Sequence, residues 1–186
     1  MLMKLFISCL SIFTFLSFTS FNPERGEIID SFNGVNVYFN GHTFTTVSGR
    51  STTMDGYNLG LKYQCVEFVK RYYYQVYGHK MPNSFGHARE YFDKRLEDKG
   101  RNIARGLMQY RNVREFAPKK GDLLVYDSCP GNPFGHVAII TQVSDDHVEI
   151  IQQNTGKDSR ASLKLVKFMN YYTIADYNIL GWLRYE

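Results

Sequence analysis

The sequence predicts an α+β fold, in which N-terminal helices pack on an antiparallel β-sheet built from the second half of the chain. Two observations carry this. Val66, Val69, Tyr73, Val76 and Tyr77 recur at three- and four-residue spacing, as on a helix with one buried face. After Pro118 the pattern changes to short apolar runs at 122–127, 136–143, 147–153 and 179–185, with the turn signal Asp145-Asp146 between two of them.

The elements follow in order. Met1 to Lys4 and the run Leu5 to Phe18, apolar apart from Ser, Thr and Cys, read as an export signal cut after Thr19. The competing reading, an uncleaved anchor helix, has a stretch at the short end of what spans a bilayer. Val35 to Phe39, the Asn40-Gly41 turn signal and Thr43 to Val47 predict a hairpin. Ser51 to Leu61, with Asp55-Gly56 and Gly60, reads as an irregular loop delivering the chain to a helix that starts at Cys65 and stops at Gly78. A second, shorter helix is expected over 86–96. From Lys94 to Lys120 nine basic residues face three acidic ones, which reads as a solvated loop and helix surface.

Composition narrows the function. A chain of 186 residues supports one domain, and 44% apolar residues with 14 Tyr and 14 Phe belong to a folded globular protein. A formal charge of +4 does not mark a nucleic-acid binder, and no nucleic-acid partner is expected. Export would leave only Cys65 and Cys129, so a single disulfide between them is the plain alternative to any chemical role.

The chemical reading starts from Cys65. A helix N-terminus beside an imidazolium is the arrangement that turns a thiol into a thiolate nucleophile. His136 heads a strand after Cys129-Pro130-Gly131-Asn132-Pro133-Phe134-Gly135, where Gly135 permits close backbone approach. His42, His79, His87 and His147 each sit beside a turn or early in a helix and read as surface residues. No Cys, His or acidic pair has zinc-ligand spacing, and neither metal nor cofactor is expected. If Asp145 and Asp146 form a two-residue turn, His136 falls opposite Thr155, within a residue of Asn154. Gln152 or Asn154 is therefore the group that would hold the other ring nitrogen of His136. The Cys65 backbone amide and the Gln64 side chain are the candidate oxyanion donors.

Tyr63-Gln64-Cys65-Val66-Glu67-Phe68-Val69-Lys70-Arg71 and Gly135-His136-Val137-Ala138-Ile139-Ile140-Thr141 resemble the two motifs of the CHAP family, the cysteine, histidine-dependent amidohydrolases and peptidases. Gly34-Val35-Asn36-Val37-Tyr38 and Ile179-Leu180-Gly181-Trp182 are similar to the amidase domain of glutathionylspermidine synthetase/amidase, so the likeness covers residues 30–186. The resemblance implies Cys65 as nucleophile, His136 as base and a papain-like α+β fold. It also exposes a departure. That amidase has a glutamate before Gln-Asn, where this chain reads Gln152-Gln153-Asn154, and a neutral amide stabilises an imidazolium less.

Three functions are expected to compete. One is a periplasmic or secreted, monomeric amidase or peptidase acting on peptidoglycan peptides, without membrane insertion once the signal is cleaved. Another is a hydrolase of glutathionylspermidine-like small amide conjugates. The third is a binding module in which Gln152 or a disulfide has weakened the site.

Overall fold

The computed structural model describes residues 22–186, so the export leader expected at 1–19 lies outside the described residues. In chain order come β1 (Ile28–Phe32), β2 (Val35–Tyr38), β3 (Arg50–Thr52), β4 (Asn58–Leu61), helix α1 (Cys65–Tyr77) and a 3-10 turn at Ala88–Tyr91. Then follow β5 (Gly100–Asn102), β6 (Leu107–Arg111), β7 (Leu123–Tyr126), β8 (His136–Val143), β9 (His147–Ile151), β10 (Arg160–Phe168), β11 (Tyr171–Ile174) and β12 (Ile179–Arg184). The last eight strands form one antiparallel sheet in the order β11-β10-β9-β8-β7-β12-β6-β5, while β1-β2 and β3-β4 are separate hairpins.

Alternation along the central strands builds two cores, because successive side chains of a strand point to opposite faces. Val137 and Ile139 of β8, Leu123 and Val125 of β7 and Leu183 of β12 pack with Phe68, Val69, Tyr72 and Tyr73 of α1. Ala138, Ile140, Leu124 and Trp182 turn the other way, onto Val148, Ile150, Leu165 and Ile174. The sheet curls around this second cluster until its two ends meet. Asn112, just past β6, bonds both the N–H and the C=O of Ile174 in β11, and the Val113 N–H reaches the Tyr172 carbonyl. With both faces covered, the middle strands are apolar throughout rather than alternating with polar residues.

Helix α1 begins at Cys65 and ends where Gly78 adopts a left-handed conformation, as the sequence predicts. Several expectations are corrected. Among the described residues α1 is the one α-helix, so the plural N-terminal helices are not borne out. The 86–96 segment forms only the 3-10 turn, because the buried Gln109 side chain takes both the N–H and the C=O of Asp93 at 2.8 Å. Those backbone groups are then lost to any helix. The hairpin turns at Asn33-Gly34, both at positive φ, one signal earlier than Asn40-Gly41, and 43–47 is not a strand. The 51–61 loop holds the β3-β4 hairpin, and the basic 94–120 stretch contains β5 and β6.

Candidate active site

The nucleophile candidate is placed by the packing of α1 across the sheet. Cys65 is the first helical residue, 8% exposed, and the backbone N–H groups of Val137, Val66 and Cys65 are directed at its sulfur. Val137 follows His136, so the sulfur lies against the very start of β8. Gly135 lets the chain enter β8 tight against Tyr126 and Arg89. Its φ is +73°, and a Cβ there would stand 2.6 Å from the Tyr126 carbonyl oxygen and 2.8 Å from the Arg89 Cβ.

His136 is held by Gln152. The ring Nε2 donates to the Gln152 Oε1 at 3.0 Å, and the amide orientation is fixed at its other end, where Nε2 of Gln152 donates to the Asp158 carbonyl. With the proton on Nε2, Nδ1 is left as the basic nitrogen. The Gln152 backbone N–H bonds the Ser159 carbonyl, so the partner of the histidine is itself anchored on the β9-β10 connection.

Asn154 does not reach His136. The one-residue register shift between Ile140 and Gln142 would by itself put Asn154 opposite His136, but β9 ends at Ile151 and the ladder does not extend to either amide. Asn154 instead sits at φ +72° and donates to the Phe44 carbonyl and to Gln64 Oε1. Gln64 is likewise not an oxyanion donor in this arrangement. Both hydrogens of its side-chain amide are taken by the carbonyls of Phe44 and Thr46, which lie in a loop without ladder partners of its own. Gln64 and Asn154 thus brace the 44–46 loop over the helix start, leaving backbone N–H groups as the available oxyanion donors.

Sequence reasoning missed Gln153. Its side chain is buried and makes four contacts, accepting from Tyr38 N–H and Arg71, and donating to the Gln64 carbonyl and Glu67. Glu67 and Arg71 form a buried ion pair one helical turn apart. The chain leaving the His136 sheet is thereby tied to the first turn of the Cys65 helix. The Glu67 and Arg71 spacing on the helix was the available signal.

Burial sets the protonation of the resting pair. It pushes the Cys65 thiol up to about 11, against the pull of the backbone N–H groups, and the His136 imidazole down to about 4, against the Gln152 hydrogen bond. Both groups are neutral near pH 7. Cys65 and Cys129 are free thiols, which removes the disulfide reading in this state.

Cys65 and His136 open onto a cleft of about 500 Å³ lined by Phe44, Val47, Leu61, Phe85 and Phe134, with Arg50, Glu90 and His87 as its charged and titratable walls. His87 is exposed, as expected, and it also lines this cleft, its ring 4.9 Å from that of Phe134. The arrangement suits thiol attack on a carbonyl, with a base whose tautomer is fixed and an apolar, concave approach.

A family model for the CHAP domain matches residues 54–154, which include both Cys65 and His136. The chain belongs to the CHAP family. Membership carries the reaction class, hydrolysis of an amide bond by an amidase or peptidase. Among curated proteins, the bifunctional glutathionylspermidine synthetase/amidase of Escherichia coli strain K12 is 35% identical over 149 residues, 72% of this chain and 23% of that protein. Trypanothione synthetase of Crithidia fasciculata is 34% identical over 107 residues, 58% of this chain and 16% of that one. The CHAP chain therefore spans less than a quarter of the length of these relatives. Among solved structures, Ly7917 matches with a TM-score of 0.40 and 20% identity, over 66% of this chain and 53% of that one.

Proposed function

We propose that this CHAP protein is an exported cysteine amidohydrolase that cuts an amide bond in peptidoglycan peptides through a thioester on Cys65. The observation that carries the proposal is the pairing of His136 Nε2 with Gln152, which leaves Nδ1 free as the base in the cleft that Cys65 also lines. As the thiol attacks the carbonyl carbon, Nδ1 of His136 takes its proton. Backbone N–H groups at the start of α1 stabilise the oxyanion. The C–N bond then breaks and His136 returns the proton to the departing amine. Water, deprotonated by His136, hydrolyses the thioester and restores the thiol.

Two features support peptidoglycan. The first is the signal-like leader, Met1 to Thr19. The second is an open cleft of about 500 Å³ lined by Phe44, Phe85 and Phe134. The basic 94–120 segment supports it less than its composition promised. Arg105 is buried, Arg111 is spent on the carbonyls of Lys94 and Leu96, and Lys94 and Arg95 pair with Asp127 and Asp93. We place the protein in the periplasm or outside the cell, as a monomer. Incubation of the purified protein with peptidoglycan is expected to release new muropeptide fragments, and none with Cys65→Ala. An unchanged fragment pattern with folded wild-type protein argues against this substrate.

The second reading is hydrolysis of a small amide conjugate of the glutathionylspermidine type, favoured by the likeness to the synthetase/amidase. Release of free polyamine from such a conjugate by wild type, with peptidoglycan untouched, selects it.

A further inference from the structure

A buried cation joins two segments that line the cleft, and the hydrolase mechanism makes no use of it. Lys70 is fully buried on α1, beyond the turn that carries Cys65. Its ammonium donates to the Asn58 carbonyl at the start of β4 and to the Ser84 carbonyl at 2.8 Å. The first carbonyl belongs to the strand whose Gly60 and Leu61 line the cleft, and the second opens the segment whose Ser84, Phe85 and Gly86 line it too. Asn58 reinforces the junction, donating to the same Ser84 carbonyl and to its hydroxyl.

The surroundings are unusual for a buried lysine, because a buried charge is ordinarily matched by a carboxylate. The carboxylate that acts on it, Glu67, is already engaged by Arg71 and Gln153. The other charges facing Lys70 are the guanidinium groups of Arg105 and Arg50, of its own sign, and the Tyr57 ring lies 4.9 Å beneath it. Arg105 does parallel work on the same wall, donating to the carbonyls of Asn83, Phe85 and Glu90. So the 83–90 wall, which has little regular structure, is held by two buried cations acting on backbone carbonyls.

We infer that Lys70 is a positioning residue whose ammonium clasps these two lining segments to the Cys65 helix and thereby sets the size of group that reaches the sulfur. A neutral amine keeps two N–H donors but loses the charge that strengthens both bonds. Burial, with Arg105 and Arg50 nearby, brings Lys70 down to about 8. The clasp therefore weakens as pH rises through that value, and the cleft widens on its alkaline side. The inference takes from the hydrolase reading only the identity of the cleft, and its test needs no turnover.

Hydrogen-exchange mass spectrometry of the full chain at a series of pH values around 8 tests it, on wild type, Lys70→Met and Lys70→Arg. Protection of the amides in 57–62 and 83–90 is expected to fall by about tenfold in Lys70→Met. In wild type the same segments lose protection as pH passes 8, and in Lys70→Arg, which stays charged, they do not. Alkylation of Cys65 by a bulky aryl iodoacetamide, relative to iodoacetamide itself, follows the same pattern, rising in Lys70→Met and in wild type above pH 8. The proposal is overturned if wild-type protection or the alkylation ratio is flat across pH 8, or if the same change persists in Lys70→Arg. These wild-type series decide the matter even where Lys70→Met does not fold.

Discussion

The hydrogen bond from His136 Nε2 to Gln152 Oε1, 3.0 Å long, joins the base candidate to a partner that carries no charge. A carboxylate there would stabilise the imidazolium directly. A neutral amide fixes the tautomer and orientation of the ring and adds little more, so burial keeps His136 neutral, with its pKa near 4. A neutral thiol and a neutral imidazole thus line one cleft at rest, and on the proposed reading the proton moves during attack.

Gln152→Glu is expected to raise the His136 pKa and favour the thiolate-imidazolium pair. The pH dependence of Cys65 alkylation by iodoacetamide, with Cys129 as internal reference, reports this. Its acid limb should appear at higher pH than any imidazole limb in wild type, with faster alkylation near neutrality. Superimposable profiles would show that Gln152 does not communicate with the pair.

His136→Ala removes the group that moves the proton in both half-reactions. Hydrolysis should fall by roughly 10²- to 10⁴-fold. A steady-state comparison at equal folded concentration checks this, and a loss under tenfold contradicts the assignment.

Stability should also depend on His136. The unfolded chain binds a proton below about pH 6.5, whereas the folded imidazole resists until about 4, so protons favour the unfolded state across that window. Stability is lost as pH falls from about 6.5 to about 4, by at most about 3 kcal/mol from this group. Urea midpoints of wild type and His136→Leu across the window should converge as pH drops. At the other end, the raised Cys65 thiol predicts a loss as pH climbs from 9 towards 11, absent in Cys65→Ala.

Gly135→Ala tests the close approach behind the histidine. The substitution forces an L side chain into a left-handed conformation and against the Tyr126 carbonyl. A loss of at least about 2 kcal/mol in chemical denaturation is expected. An unchanged midpoint would mean that the backbone relaxes there without difficulty.

Much of this architecture was legible in the chain because one physical signal dominated each stretch. The spacing from Val66 to Tyr77 and the stop at Gly78 gave α1, and the apolar runs gave β7, β8, β9 and β12. What escaped was decided by contacts distant in sequence. Gln109 unmakes a helix at Asp93, and β10, whose Arg160 to Leu165 does alternate polar and apolar residues, escaped all the same, as did the short, mostly exposed or half-buried β11. At the site, Cys65 and His136 were readable from type and placement, whereas the division of labour among Gln64, Gln152, Gln153 and Asn154 was not. These amides look alike in a sequence, and which of them meets the imidazole is decided beyond the end of β9 at Ile151, where Gln152 is anchored on the Asp158 carbonyl and Asn154 on Phe44 and Gln64.

The most direct test of the account is the fate of the acyl group. Wild type mixed with a cleavable peptidoglycan peptide, quenched in acid within a single turnover and digested, should carry an acyl mass on the peptide containing Cys65. Cys65→Ala should carry none and release no amine. Amine release that continues in Cys65→Ala, or an acyl mass found elsewhere, would contradict the role given to that sulfur.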